Sequence, residues 1–253
     1  MRGRLHVPIL LLALLASPLV ADDAITVAVA SNFATTAQKL ADHFTRQSKV
    51  PVRLSYGSTG KLYAQIVNGA PFDVFLAADA ERPSLLEESG HSVAGMRFTY
   101  ATGSLVLWSA DASLSGRDCR EVLQSGDFRH LALANPTTAP YGKAARDVLV
   151  HLKLWDTGYR RIVFGENIAQ VLQFTATGNA TLGLIARSQT LHAALPPATC
   201  SWPVPESMHA PIEQQLVLLS RAADNAGARA FIEFIRSPAA GEIIIAQGYG
   251  APR

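Results

Sequence analysis

The apolar positions of this chain recur in one order: a short continuous apolar run, a tight polar turn, then apolar residues at helical spacing. Ile25–Ala30 reads as a buried strand, with Ser31-Asn32 as the turn after it. Ala37, Leu40, Ala41 and Phe44 then fall at i, i+3, i+4 and i+7, which is one face of a helix. The unit repeats. Residues 52–56 form a strand, Gly57-Ser58-Thr59-Gly60 a turn, and Leu62 and Ile66 the next helical stripe; residues 73–78 form a third strand. A second series begins near residue 101, with strands over 104–108 and 130–134. The turn-rich stretch 135–142 leads to a stripe of Ala145, Val148, Leu149 and Leu152. Residues 161–164 pass through Gly165-Glu166-Asn167 into a helix bearing Ile168, Val171 and Leu172. A strand over 181–185, a proline-rich loop over 196–211 and a strand over 215–219 follow. Two helices close the chain; the second is capped by Ser237, continues with Pro238 and stops at Gly248.

Strands alternating with helices at this spacing predict an α/β fold with mainly parallel sheets covered on both faces. The length fits two lobes of ordinary domain size. Ligands of such sheets sit beyond the carboxyl ends of the strands, where the turns into helices lie. Four of those turns are rich in small or polar residues: Ser31-Asn32, Ser58-Thr59, 139–142 and Glu166-Asn167-Ile168. A helix N-terminus carries unpaired N–H groups and partial positive charge, so four of them converging would hold an anion without a cationic side chain. Each turn alone is equally an ordinary helix cap.

Composition narrows the compartment. Residues 1–21 combine Arg2 and Arg4, the apolar run 9–16 and a small residue at Ala21, the layout of a secretory signal. The run is too short for a membrane span. Removing it takes two of the 22 basic residues and none of the 20 acidic ones, so the rest is formally neutral and nucleic acid is not the expected partner. No cysteine follows the signal, so no lipid anchor is expected, and the expected location is the periplasm. Cys119 and Cys200 either pair in that oxidising compartment or remain two thiols. The seven histidines never fall three or four apart, so no metal site is expected.

Three catalytic readings of Gly57-Ser58-Thr59-Gly60-Lys61 can be weighed. A phosphate-binding loop needs glycine where Ser55 stands and a hydroxyl residue where Leu62 stands. A nucleophile elbow needs one residue between Gly57 and the serine. Both fail. Ser58 and Lys61 do match the Ser-x-x-Lys nucleophile motif, but neither Ser-Asp-Asn nor Lys-Thr-Gly follows. It stands as the enzymatic alternative, an acyl-transfer enzyme, against the expectation of a non-enzyme.

At these same turns the sequence resembles the periplasmic molybdate-binding proteins of molybdate ABC importers (the ModA type), over essentially the whole chain after the signal. The carriers are residues 26–33, Tyr56-Gly57-Ser58-Thr59-Gly60, residues 63–75, Asn135-Pro136 with Ala139-Pro140-Tyr141-Gly142, and Gly248-Tyr249-Gly250. The resemblance implies a two-lobed periplasmic binding protein, with residues 22–100 plus 215–253 as lobe 1 and 101–214 as lobe 2. It implies closure on molybdate or tungstate, bound only as the oxyanion, with no cofactor and no cation site. The implied ligand-binding residues are Ser31, Asn32 and Thr59 from lobe 1, with Ser58 beside Thr59 able to share its role. Tyr141 and Ile168 supply mainly backbone N–H groups from lobe 2. Many members carry a tyrosine where this chain has Ala186, so the first turn, through Asn32, is expected to replace that donor. A monomer that delivers the anion to an ABC importer's membrane permease is the expected assembly. Another oxyanion, or a small organic ligand, is the alternative within the same architecture; a charged organic ligand wants charged groups in the turns, and only Glu166 is there.

Overall fold

The computed structural model describes residues 24–158, 161–191 and 194–252; the proposed signal at 1–21 lies outside them. Two five-stranded sheets, each flanked by helices, form two lobes. The first sheet has the order β2-β1-β3-β10-β4, from β1 (Ile25–Ala30), β2 (Val52–Gly57), β3 (Val74–Ala77), β4 (Phe98–Gly103) and β10 (Ile212–Leu218). The second has the order β7-β6-β8-β5-β9, from β5 (Leu105–Ser109), β6 (Leu131–Ala134), β7 (Ile162–Gly165), β8 (Leu182–Ala186) and β9 (Cys200–Pro203). The α/β, two-lobed expectation holds.

Four strands of each sheet run the same way, as expected of mainly parallel sheets, and one is reversed. β1 pairs in parallel with β2 and β3, but β10 runs antiparallel to β3 and β4. Likewise β6 is parallel to β7 and β8, whereas β5 is antiparallel to β8 and β9. The cause is the crossing between lobes. β4 ends at Gly103 and β5 starts at Leu105, so β5 sets out from the end of its sheet where the parallel strands finish. β10 does the same on the return. Each sheet therefore has one strand reversed, and the two orders match position for position. The sheets change over at Ser104 and within 204–211, a few residues from the boundaries expected at 100 and 215.

Two strands were not anticipated. β4 has small and polar residues at Thr99, Ala101, Thr102 and Gly103, so no apolar run marks it. β9 lies in the stretch expected to be a proline-rich loop; it is an edge strand ending in Pro203, a place where proline removes no interior ladder bond.

Lobe 1 buries Val27, Val29, Phe33, Leu40 and Phe44 against α8 (Ala226–Arg236) and α9 (Pro238–Ala246) on one face. Leu62, Phe75, Leu86 and Val217 fill the other face. Lobe 2 packs around Leu107, Trp108, Leu133, Val148 and Leu184, and its core takes in Ala30 and Ala78 from the strand ends of lobe 1. Cys119 and Cys200 form a disulfide tying α4 (Cys119–Ser125) to β9. The bridge spans 81 residues, which on the chain-entropy argument contributes at most about 4–5 kcal/mol.

Candidate functional site

Four helical N-termini meet where the two sheets face each other. From lobe 1 come the 3₁₀ turn Ser31–Phe33, which runs into α1 (Ala34–Ser48), and the start of α2 (Thr59–Val67). From lobe 2 come α5 (Pro140–His151) and α7 (Ile168–Ala176). They border a small, half-open cavity lined by Ser31, Asn32, Ser58, Thr59, Tyr141 and Ile168 together with small residues such as Ala30, Ala78 and Ala139. All six candidate residues thus border one space. None of the cavity's walls carries a charged side chain.

Local sequence explains what each N-terminus leaves free. In α5 Pro140 has no N–H, and Gly142 and Lys143 both donate to the Ala139 carbonyl, at 2.9 and 3.0 Å. The Tyr141 N–H finds no acceptor among the described residues. In α7 the Asn167 side chain caps the N–H groups of Ala169 (3.0 Å) and Gln170 (3.2 Å), leaving that of Ile168. In α2 the Gly60 N–H crosses to the Thr138 carbonyl of lobe 2 at 2.8 Å and Leu62 donates to Ser58, leaving that of Thr59. Three buried helix-end donors therefore point the partial positive ends of their helices at one cavity.

The hydroxyls differ in their partners. Thr59 is 1% exposed, and its Oγ1 accepts from the Ala78 N–H at 3.1 Å, which fixes the side chain while leaving its own hydrogen to donate. Ser58 makes no capping bond, and its Oγ is buried with no hydrogen-bond partner. An unmatched hydroxyl in a cavity wall costs about 1–3 kcal/mol unless a ligand meets it.

The Asn32 side chain has partners of its own behind the cavity. Its Nδ2 donates to Gln214 Oε1 at 2.8 Å and to the Tyr249 hydroxyl at 3.1 Å, so both amide hydrogens are engaged away from a ligand. The replacement donor sought where Ala186 stands is therefore not a free Asn32 amide. Ala186 itself is fully buried, its N–H donating to Gln189 Oε1 at 3.0 Å.

The Tyr141 ring is buried, and its hydroxyl lies against Gly103, where a Cβ would sit 2.2 Å away. That hydroxyl is near the Asn32 side chain but outside hydrogen-bonding geometry. Burial, with the neighbouring Tyr249 and Tyr100, pushes its phenol well above the ordinary value, so it is neutral. Burial does the same to Tyr249.

The structure also bears on the Ser-x-x-Lys reading. Lys61 Nζ pairs with Glu166 across the lobes at 2.9 Å, and no base reaches Ser58 Oγ. Glu166, the one acidic residue of the cleft turns, is thereby neutralised at the rim, both partners being about half exposed. No cluster of metal-ligating residues occurs among the described residues, and no described helix is long and apolar enough to cross a membrane.

Several contacts at the cleft were not foreseen: Gly60 to Thr138, Arg82 Nη2 to the Thr137 carbonyl at 3.2 Å, and the bonds of Gln214, Ser188 and Tyr249 around Asn32. Only Tyr249 carried a sequence signal, in the Gly248-Tyr249-Gly250 segment.

The profile of the bacterial extracellular solute-binding protein family matches residues 25–250. The chain is 46% identical over 226 residues to the molybdate-binding protein ModA of Azotobacter vinelandii, covering 89% of each. It is 42% identical over 235 residues to the ModA of Rhodobacter capsulatus, covering 93% of this chain and 91% of that one. The solved structure of the A. vinelandii periplasmic molybdate-binding protein superposes with a TM-score of 0.85 at 42% identity, covering 90% of this chain and all of that one.

Proposed function

The chain belongs to the bacterial extracellular solute-binding proteins, in their ModA-type group, and from that premise we propose that it captures molybdate between its lobes and delivers it to an ABC importer. In this reading it is exported, works as an unanchored periplasmic monomer, and accepts tungstate as well. The observation that carries the proposal is the uncharged cavity on which four helical N-termini converge. The donors in this reading are the N–H groups of Thr59, Tyr141 and Ile168, the hydroxyls of Thr59 and Ser58, and in the first turn the Ser31 hydroxyl and the main chain at Ser31 and Asn32.

The magnitudes agree. Hydrogen bonds to a charged group contribute about 1.5–3 kcal/mol each, so five or six give on the order of 8–18 kcal/mol gross. Desolvation and lobe closure oppose this, and micromolar to nanomolar capture requires about 8–12 kcal/mol. A site of donors suits a fully deprotonated dianion with four accepting oxygens. Monohydrogen phosphate brings an O–H that finds no acceptor, at a loss of roughly 1–3 kcal/mol. Sulfate has the charge but shorter bonds to oxygen, so it cannot reach donors on both lobes at good distances.

Calorimetric titration of the purified protein with a panel of oxyanions tests this. Molybdate and tungstate should bind within about tenfold of each other, and sulfate and phosphate should be weaker by at least about a hundredfold, or roughly 2.7 kcal/mol. Sulfate or phosphate equal to molybdate would reduce the assignment to a generic oxyanion-binding protein.

A further inference from the structure

Behind the cavity, Asn32 is held by groups that come from the far end of the chain and from the opposite lobe. The Tyr249 hydroxyl donates to the Asn32 carbonyl at 2.7 Å. It accepts from Asn32 Nδ2 at 3.1 Å and from Ser188 Oγ at 3.1 Å. One hydrogen given and two accepted use the full capacity of a phenol oxygen. The ring is 4% exposed and meets Phe33 edge-on at 5.1 Å, so the hydroxyl has no freedom to turn elsewhere. Its backbone is pinned as well: Gly250 and Thr102 exchange N–H···O bonds of 2.8 and 3.0 Å.

Ser188 belongs to the turn after β8, in lobe 2, while Asn32 and Tyr249 belong to lobe 1. Gly248, whose φ of +85° favours glycine, packs beside Ser188: a Cβ there would stand 3.0 Å from Leu191 Cδ1 and 3.5 Å from Ser188 Cα. The Ser188 bond thus crosses from lobe 2 to lobe 1, next to Arg187, whose N–H donates to Ser104 at the crossover between the lobes. The same phenol oxygen touches a cavity-lining residue of lobe 1 and a residue of lobe 2.

We infer that Tyr249 is a positioning residue for the cleft: it fixes Asn32 in the cavity wall and couples that pose to lobe closure through Ser188. The inference rests on the oxyanion reading of the cavity. Without the phenol, Asn32 would keep its amide bond to Gln214 and the long 3.4 Å bond from Ser188 to its carbonyl, but would lose the short donor that holds that carbonyl away from a bound dianion. Buried networks of this kind are fully satisfied or costly.

The test uses Tyr249→Phe, Ser188→Ala and the double variant, each titrated with sodium molybdate and followed by stopped flow, alongside unfolding of the unliganded proteins. The unsubstituted protein is titrated first; if it binds no molybdate, the proposed function fails rather than the coupling. Tyr249→Phe should weaken binding at least tenfold, chiefly through faster dissociation. Ser188→Ala should weaken it about three- to fivefold with the unliganded unfolding midpoint unmoved, and it carries the test if Tyr249→Phe does not fold. The double variant should lose less than the product of the two single losses, because Ser188 acts chiefly through the Tyr249 oxygen at 3.1 Å and only weakly on the Asn32 carbonyl at 3.4 Å. Unchanged dissociation rates in the folded variants, or losses that multiply in the double variant, would overturn the inference.

Discussion

The two lobes bring different chemistry to one cavity. Lobe 1 offers hydroxyls: Thr59, held by the Ala78 N–H, and Ser58, whose Oγ is buried without a partner. Lobe 2 offers main chain: the N–H groups of Tyr141 and Ile168, each left free because Pro140 or Asn167 has arranged its neighbours otherwise. The side chain at a lobe 2 position points into the core, so its identity matters for packing and little for the ligand. Half of the site is written in residue types and half in helix geometry. Substitutions should therefore act unequally on the two lobes.

The largest effect is expected where the lobes touch. Gly60 donates to Thr138 across the cleft, and a Cβ at Gly60 would lie 2.9 Å from the Thr138 carbonyl oxygen and 3.0 Å from its Cα, both backbone atoms. Gly60→Ala should keep the lobes from closing and lower molybdate affinity at least about a hundredfold, or roughly 2.7 kcal/mol. Unliganded stability should not fall, since alanine favours a helix over glycine. Calorimetry with a parallel melting curve separates the two; full affinity would show that the lobes close without this contact.

A smaller effect separates the lobes themselves. Thr59→Ala should cost about 1.5–3 kcal/mol of binding through the lost hydroxyl. Tyr141→Phe should leave binding nearly unchanged, because the phenol points toward Gly103 and only the N–H faces the cavity. That substitution also removes a buried hydroxyl with no partner, so the unfolding midpoint should hold or rise. Equal, large losses in both variants would erase the distinction between the lobes.

The smallest effect is no effect. The cavity walls hold no carboxylate, histidine or amine, and the buried phenols behind them are raised above their ordinary value, so they stay protonated at neutral pH. Molybdate affinity should be flat from about pH 6 to 8, the range in which an ordinary histidine titrates. A tenfold change across that range, with the anion still doubly charged, would place a titrating group at the site.

The same asymmetry decides how much the sequence could tell. Strands such as β1 and β6 were legible because their apolar runs are continuous, and the site turns because hydroxyl residues recur after them. Strand β9 was hidden by its proline, and β4 by Thr99, Ala101 and Gly103, which give no apolar run. The part played by Asn32 was hidden for another reason. Its partners Gln214 and Tyr249 lie 182 and 217 residues away, and only the fold brings them to the first turn. The cysteines were left open by spacing alone; the fold brings their Cα atoms to 5.4 Å.

A crystal structure of the molybdate complex tests the division between the lobes most directly, because it shows which atoms lie within hydrogen-bond distance of the anion. The account predicts hydroxyl oxygens from lobe 1, with Thr59 Oγ1 and Ser58 Oγ among them beside the Thr59 backbone nitrogen, and from lobe 2 only the backbone nitrogens of Tyr141 and Ile168. A Tyr141 hydroxyl turned onto the anion, or a lysine or arginine side chain reaching it, would contradict that account.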